Sequence, residues 1–507
     1  MMANSKQPGV PLIDLLAGFT VTETVPAMDI YDIASNSGKV TEGSAFIALP
    51  GINTNGIDYA IDAVKAGARV IIYDSADDYS LRRIALLRKQ VDTRWVGVDQ
   101  LGRVNGRVVS RFFGEPGRAM TIIGVTGTDG KSSVTHLLTQ ALTKIGKSCA
   151  SIGTLGYGIA NQLTPDSLTT PDAVSLQSRL YKFKRQRCEY VVMEVSSHAL
   201  EQYRVDGCDF DIAVLTNLGR DHLDYHGDLA SYANAKARLF NDFELSARVV
   251  NVDDAFGRRL SEGVETDSLT RYSVEADDQA GVEVTLIESN LTDSGQNIRV
   301  RIPGAEVTAV TALLGDFNVE NTLACISTLV ALGLDHESIE LAIKDLEPIP
   351  GRMEKFTGDS SMPAAVVDFA HTEQALRACL MACRAYTSGE LWCVFGCGGD
   401  RDQGKRSGMG RAVEELADHA VITDDNPRNE SPGKIASEIL SGMAQPGKVS
   451  VVHNRQAAIE YALSQARPQD LVVIAGKGHE QEQIIGSERR PFSDRHVVSR
   501  ILQLRND

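Results

Sequence analysis

Met120-Thr-Ile-Ile-Gly-Val-Thr-Gly127-Thr-Asp-Gly130-Lys131-Ser132-Ser133 decides how this chain is read. An apolar run of strand length passes directly into a Gly-rich loop, and the following Ser133 to Ile145 has helical spacing. In a strand, loop and helix of this kind, glycines let backbone N–H groups close on phosphate oxygens. Lys131 would supply a point charge to β and γ phosphates, and Ser132 could ligate Mg²⁺. The spacing between Gly127 and Gly130 is shorter than the usual four residues. The bland alternative is a Gly-rich turn that binds nothing.

Working outward, short apolar runs alternate with helical stretches. Before the loop, Ala45 to Leu49 and Ala68 to Tyr73 read as strands around a helical Tyr59 to Ala66, a small α/β region. After it come strand candidates at Tyr190 to Met193 and Ile212 to Leu215, and this alternation implies a parallel sheet. Val282 to Leu313 alternates with period two and suggests an antiparallel patch, closed by a helical Asn318 to Leu332. Beyond the turn-rich Pro348 to Arg352, strand candidates are Ala364 to Asp368, Leu391 to Phe395, His419 to Thr423 and Leu471 to Ala475. Each stops at or just before a Gly, Asp or His, and open α/β sheets bind ligands beyond the carboxyl ends of their strands.

Composition narrows the class. A chain of 507 residues suggests about three domains. No apolar run nears the roughly 20 residues of a membrane span, and the polar Met1 to Pro11 does not read as a signal peptide, so a cytoplasmic protein is expected. The net charge of −16 argues against non-specific nucleic-acid binding, although a helix N-terminus can still hold an anion. The eight cysteines lack the spacing of a zinc knuckle or redox dithiol and read as buried reduced thiols.

Further motifs sit at strand ends. Val192-Met-Glu194-Val-Ser196-Ser197-His198 offers a carboxylate suited to Mg²⁺, or a surface Glu opening a loop. Thr216-Asn217-Leu-Gly-Arg-Asp221-His222 to His226 could hold a second metal or an acidic substrate, or Asp221 could cap a helix. Lys236 lies in a helical stretch where periodicity alone predicts a solvated side chain. Asp368-Phe-Ala-His371, Gly396 to Arg406, Asp424-Asp425-Asn426-Pro427-Arg428 and Gly476-Lys477-Gly478-His479-Glu480 end four strands and predict one shared site.

Gly127–Ser133, Met193 to His198, Asn217 to His226, Ala235-Lys236, Phe317 to Asn321, Gly351 to Glu354 and Asp368 to His371, in this order over nearly the whole chain, resemble a Mur ligase. The Asp425-Asn-Pro-Arg428 box is similar to that of the branch adding meso-diaminopimelate to UDP-N-acetylmuramoyl-L-alanyl-D-glutamate; lysine-adding relatives tend to lack its Arg. The resemblance implies an α/β fold of three domains. These are a UDP-binding N-terminal domain (1–117), a central P-loop ATPase domain (118–347) and a Rossmann-like amino-acid-binding domain (348–507). It implies ligation through an acyl phosphate in peptidoglycan precursor synthesis, by a cytoplasmic monomer with no nucleic-acid or membrane partner. Alternatives are the same ligation with L-lysine, or a folylpolyglutamate-synthase-like ligase, against which Arg428 and the Gly476–Glu480 box count.

Residue roles follow from the same resemblance. Gly127, Thr128, Asp129, Gly130, Lys131, Ser132 and Ser133 would hold ATP, with Asn318, Asn321, Arg352 and Asp368 as further nucleotide contacts. Ser132 and Glu194 would hold one Mg²⁺, and His222 and a carbamylated Lys236 a second. Lys131, Glu194, His222 and Lys236 would be catalytic. Ser35, Ser37, Thr169, Thr170, Ser196, Gln202 and Arg204 would meet the UDP-muramoyl dipeptide, and Arg401, Asp425, Asn426, Pro427, Arg428, Gly476 and Glu480 the diaminopimelate. The chain departs from the family pattern at Asn36-Ser37-Gly38 (for Asp-Ser-Arg), Leu168 (for Asn), Asp129, Ser132-Ser133 and Phe369. These departures bear on the UDP contacts more than on the reaction.

Overall fold

The computed structural model describes residues 9–51, 54–160, 162–275, 281–292 and 295–503. Residues 1–8, on which most of the reading of the N-terminus rests, lie outside the described residues. Two compact units emerge: Met1–Ser273 with Gln279–Glu283 and Ala324–Asp335, and Val274–Asp278 with Val284–Leu323 and His336–Asp507. Among the described residues no helix is long and apolar enough to cross a membrane.

The first unit holds two sheets. Asp32–Ala34, Ser44–Ala48, Val70–Asp74 and Arg94–Val98 pair in chain order, all parallel. Their apolar residues alternate between two cores, with Ala45, Ile47, Val70 and Ile72 on one face and Phe46, Ala48, Ile71 and Tyr73 on the other. Burial on both faces is why these strands read as continuous apolar runs. In the larger sheet, Thr121–Thr126 lies between Tyr190–Glu194 and Ile212–Leu215, parallel to both. Cys149–Gly153 flanks it on one side, and Ala247–Asn251 and Leu269–Ser273 on the other. The chain leaves the central strand toward one side and returns to the other after Glu194, so a ligand crevice is expected at these strand ends.

The loop after Thr126 turns because Gly127 and Gly130 adopt φ of 151° and 82°. A side chain on Gly127 would put its Cβ 1.9 Å from Thr216 Oγ1. Gly130 sets the N-terminus, so the helix is Lys131–Lys144, starting two residues before the apolar spacing shows it.

In the second unit, Val284–Thr292, Gly295–Ile302 and Ala305–Thr311 form the expected antiparallel meander. A six-stranded sheet follows in the order Glu354–Phe356, Ala364–Asp368, Leu471–Ala475, Leu391–Phe395, His419–Ile422, Ser450–Val451, parallel except for the first strand. The four predicted strands are therefore adjacent, and their polar ends share one edge. All eight cysteines are free and buried.

One buried ion pair underlies that edge. Arg455 and Asp494, both 0% exposed, meet through two bonds of 2.8 Å, and Arg455 Nη2 also donates to the carbonyl of Ala475. Asp494 opens the helix Asp494–Ile501, where the helix dipole favours a negative charge. Asp494→Asn leaves a buried guanidinium without its counter-charge and should destabilise the second unit by about 3–5 kcal/mol. Urea unfolding monitored at this unit checks the prediction, and a loss near zero would contradict it.

Candidate active site

The first group gathers at the ends of three adjacent strands. Glu194 is 2% exposed, not the surface residue its motif alone allows. Its Oε2 accepts from Ser132 Oγ (2.9 Å) and Thr154 Oγ1 (3.1 Å), and its Oε1 from Thr154 N (2.8 Å). Gly153 makes room, since a Cβ there would stand 2.2 Å from Oε1. The loop itself is fastened to the neighbouring strand end. Asn217 accepts from Asp129 N through its side chain and from Thr128 N through its carbonyl, while Thr216 Oγ1 donates to Asp129 O. Sequence reading gave Thr154, Thr216 and Asn217 no part in holding the loop; Thr216 and Asn217 open the Thr216 to His226 motif, but nothing in its spacing reveals the bonds.

Two lysines converge on one carbonyl. Lys131 Nζ donates to Gly127 O (2.9 Å) and Thr128 O (2.8 Å), and Lys236 Nζ to Gly127 O (2.6 Å). Lys236 is 1% exposed, which corrects the expectation of a solvated side chain: its helix, Leu229–Asn241, turns that face toward the loop. Burial, reinforced by the charge of Lys131, pulls its pKa down from 10.5 to about 6. The Tyr232 ring lies 4.4 Å from Lys236 Nζ and 6.3 Å from the His222 ring. Asp221 caps no helix. Its carboxylate accepts from His222 N, and the short helix Leu223–His226 follows a His222 with φ 53° and has no side-chain cap.

The donor set fits Mg²⁺ at the first position. Ser132 and Glu194 are hard oxygen ligands already in register, and Mg²⁺ is commonly held by one or two carboxylates with water and phosphate completing the shell. Among the described residues no cluster of three or more His, Cys, Asp or Glu forms a protein-only cage.

Five of the residues expected to meet the UDP-muramoyl dipeptide, Thr169, Thr170, Ser196, Gln202 and Arg204, form one network next to Glu194. Thr170 Oγ1 donates to Glu194 O (2.9 Å) and accepts from Ser196 N (3.0 Å). Arg204 donates to Thr170 O and to Gln202 Oε1, Gln202 donates to Tyr225 OH, and Thr169 lies 3.0 Å from Thr154 across their hydroxyls. Ser35 and Ser37 follow the strand Asp32–Ala34, at the carboxyl end of the smaller sheet. A cavity of about 910 Å³ at the opposite ends of those strands, lined by Glu23, Arg69, Arg88, Arg94 and Trp95 among others, contains none of the predicted residues.

In the second unit, Asn318 and Asn321 are buried at the start of the helix Asp316–Ala331 and bonded to each other. Asp368 accepts from Met353 N and Ala370 N, and desolvation pushes its pKa up. The Arg352 guanidinium lies 5.6 Å over Phe369, which in turn packs on His479. Asn426 is buried, with its amide engaged by Lys477, Ile484 N and Glu480. Asp425 Oδ1 accepts from Asn426 N, while its buried Oδ2 has no hydrogen-bond partner among the described residues and faces Gly476. Gly476 has φ 117°, and a Cβ there would lie 2.7 Å from that oxygen. Arg428, with φ 50°, donates from Nη1 to Gly399 O (2.8 Å). The structure thus brings Asp425, Asn426, Arg428, Gly476 and Glu480 to one edge, while Arg401 stands exposed in the adjoining loop.

Known proteins match along this same layout. The chain matches three family descriptions: Mur ligase family, catalytic domain, over residues 29–110; Mur ligase middle domain over 125–329; and Mur ligase, glutamate ligase domain, over 351–478. The UDP-N-acetylmuramoyl-L-alanyl-D-glutamate–2,6-diaminopimelate ligase of Alkalilimnicola ehrlichii is 45% identical, covering 93% of this chain and 94% of the relative. The ligase of the same name from Ectopseudomonas mendocina is 41% identical over 92% and 93%. A solved structure of a ligase of that name superposes with a TM-score of 0.74 at 33% identity, covering 98% of this chain and 99% of the other.

Lys236 provides a test that needs no relative. Between about pH 6 and 10.5 the unfolded chain carries a proton on this amine that the folded chain lacks, so stability rises with pH across that window. Lys236→Met removes the penalty. In CO₂-free buffer at pH 7 it should raise the unfolding free energy by roughly 3–5 kcal/mol. The gain should shrink toward pH 10, and a difference that stays flat with pH would overturn the assignment.

Proposed function

The chain belongs to the Mur ligase family, and we propose that within it the chain joins meso-diaminopimelate to the D-glutamyl γ-carboxylate of UDP-N-acetylmuramoyl-L-alanyl-D-glutamate at the expense of ATP, in peptidoglycan precursor synthesis. We divide the chain into a UDP-binding domain (1–117), a P-loop domain (118–347) and an amino-acid-binding domain (348–507), acting as a monomer in the cytoplasm. The observation that carries the reading is the double engagement of Glu194, whose carboxylate takes Ser132 of the phosphate loop while its carbonyl takes Thr170 of the dipeptide network. A phosphate donor and an acceptor carboxylate held on the two sides of one residue would stand close enough for phosphoryl transfer.

A carboxylate is a poor electrophile, and phosphorylation gives it a leaving group. Lys131 and the N–H groups at the start of Lys131–Lys144 stabilise charge on the transferring phosphoryl group. Ser132 and Glu194 would hold Mg²⁺, which when bound neutralises phosphate charge. Thr170, Ser196, Gln202 and Arg204 orient the acceptor peptide. The neutral amine of Lys236 is suited to carbamylation: its nitrogen bonds the carbon of CO₂ and loses a proton, leaving an anionic carbamate. The carbamate would set a negative charge beside Lys131 and would give His222 an anionic companion for a second ion.

The amino acid is selected at the second unit's strand ends. The Nε and Nη2 edge of Arg428 carries no protein hydrogen bond among the described residues and can take the remote carboxylate bidentately. Glu480 and Asp425 can take ammonium groups. L-Lysine lacks the second carboxylate.

Phosphate release measured against a panel of amino acids tests the reading. Turnover should depend on meso-diaminopimelate, and equal or better turnover with L-lysine would sink it. Arg428→Ala should cost about 2–5 kcal/mol in kcat/KM for meso-diaminopimelate. Lys131→Ala should abolish phosphate release. Lys236→Ala should lose activity and regain part of it with added short carboxylates, and intact wild type should carry the extra mass of one CO₂. Unimpaired Lys236→Ala would count against the carbamate.

A further inference from the structure

Lys477 sits in the strand-end loop Gly476–Glu480, and nothing described so far gives it a part in the reaction. Its side chain is 0% exposed, an unusual condition for an ammonium. Its Nζ donates to Glu480 Oε2 (2.6 Å) and to Asn426 Oδ1 (3.0 Å). Asn426 Nδ2 donates to the same Glu480 Oε2 (2.9 Å), and Asn426 Oδ1 also accepts from Ile484 N (2.9 Å). Glu480 N in turn donates to Lys477 O (2.9 Å). One oxygen of Glu480 is therefore tied back twice, while its Oε1 carries no hydrogen bond among the described residues. Both partners of Lys477 belong to the group already placed at the amino-acid site.

Burying an ammonium against a carboxylate is a poor way to gain stability, since apolar residues of similar volume commonly do as well. The arrangement makes sense as positioning. The terminal torsion of a Glu is broad and roughly two-fold. Two donors on Oε2 fix it and aim Oε1 outward, so less ordering is left to be lost on binding. The charges matter as well: Lys477 already offsets the charge of Glu480, so a lone ammonium arriving there finds a paired carboxylate and a nearby cation. An ammonium whose own carboxylate is taken by Arg428 arrives as a zwitterion with no net charge at that end.

We propose that Lys477 is a positioning residue for amino-acid specificity, fixing Glu480 through Asn426 so that the site prefers a zwitterionic remote terminus to a lone ammonium. The proposal rests on the reading of this edge as the diaminopimelate site.

Steady-state kinetics of the full chain test it with Lys477→Met, which keeps the packing, and Lys477→Gln, which keeps a donor without charge. Each variant should raise KM for meso-diaminopimelate roughly 10-fold or more, with kcat and the KM values for ATP and the UDP-muramoyl dipeptide little changed. The ratio of kcat/KM for meso-diaminopimelate over L-lysine should narrow by a similar factor. Glu480→Gln combined with Lys477→Met should be far from additive, because both act on one carboxylate. An unchanged substrate ratio, or equal rises in all three KM values, would overturn the proposal. If Lys477→Met fails to fold, Lys477→Gln is judged by the same ratio. Wild type without diaminopimelate-dependent turnover would instead overturn the reading of the edge itself.

Discussion

Everything near the phosphate loop depends on keeping one buried carboxylate in a fixed place. Glu194 ends a strand that lies beside the central one, almost wholly removed from water, and such a group is tolerated only when its oxygens are hydrogen-bonded. Here they accept from Ser132 on the loop and from Thr154 on the next strand's end. The absence of a side chain at Gly153 is part of the same arrangement, because any Cβ would collide with Oε1. Three strand ends are thereby locked in register, and the carbonyl of Glu194 carries that register on to Thr170 and through it to Arg204.

A second constraint opposes the first. Lys131 and Lys236 both donate to the Gly127 carbonyl, and one carbonyl cannot satisfy two full ammonium charges in a desolvated place. The conflict is resolved at Lys236, the more deeply buried of the two, whose amine is driven toward neutrality. A neutral, nucleophilic amine at this point follows from burial and the neighbouring charge of Lys131, and gives carbamylation a physical basis that spacing in the sequence does not.

Much of the fold was legible in the sequence because its strands are buried on both faces and its helices are amphipathic. The strands at Ala364, Leu391, His419 and Leu471 were readable as apolar runs, and their adjacency in one sheet put four polar ends together. The candidate site was legible only where a motif is local, as in Gly127 to Ser133 or Asp425 to Arg428. Bonds between residues distant in the chain left no trace in periodicity. Thr216 and Asn217 hold the loop from some ninety residues away, and the burial of Lys236 depends on which face its helix turns inward. Lys477 lay inside a recognised motif, yet only the bond to Asn426, fifty-one residues distant, separates it from a solvated turn lysine.

The two sites solve the same electrostatic problem in opposite ways. At the phosphate loop, two lysines converge on one carbonyl and the conflict is relieved by driving Lys236 toward neutrality, which leaves Lys131 as the charged partner. At the second unit's edge, Lys477 and Glu480 cancel each other, while Arg455, bonded to the Ala475 carbonyl just before Gly476, is cancelled by Asp494. Arg428, whose hydrogen bonds run to backbone carbonyls, is not cancelled in this way, and Arg401 stands exposed in the adjoining loop. Asp425 balances Arg428 with a buried oxygen that no donor among the described residues satisfies. On the proposed assignment of this edge to the amino acid, outward cations beside an unsatisfied carboxylate would discriminate by requiring both charges on the ligand at once. A loop held by neighbouring backbone groups could bind many phosphates; on the proposed reading, it is the buried pairs behind Gly476 that would make the choice of amino acid exacting.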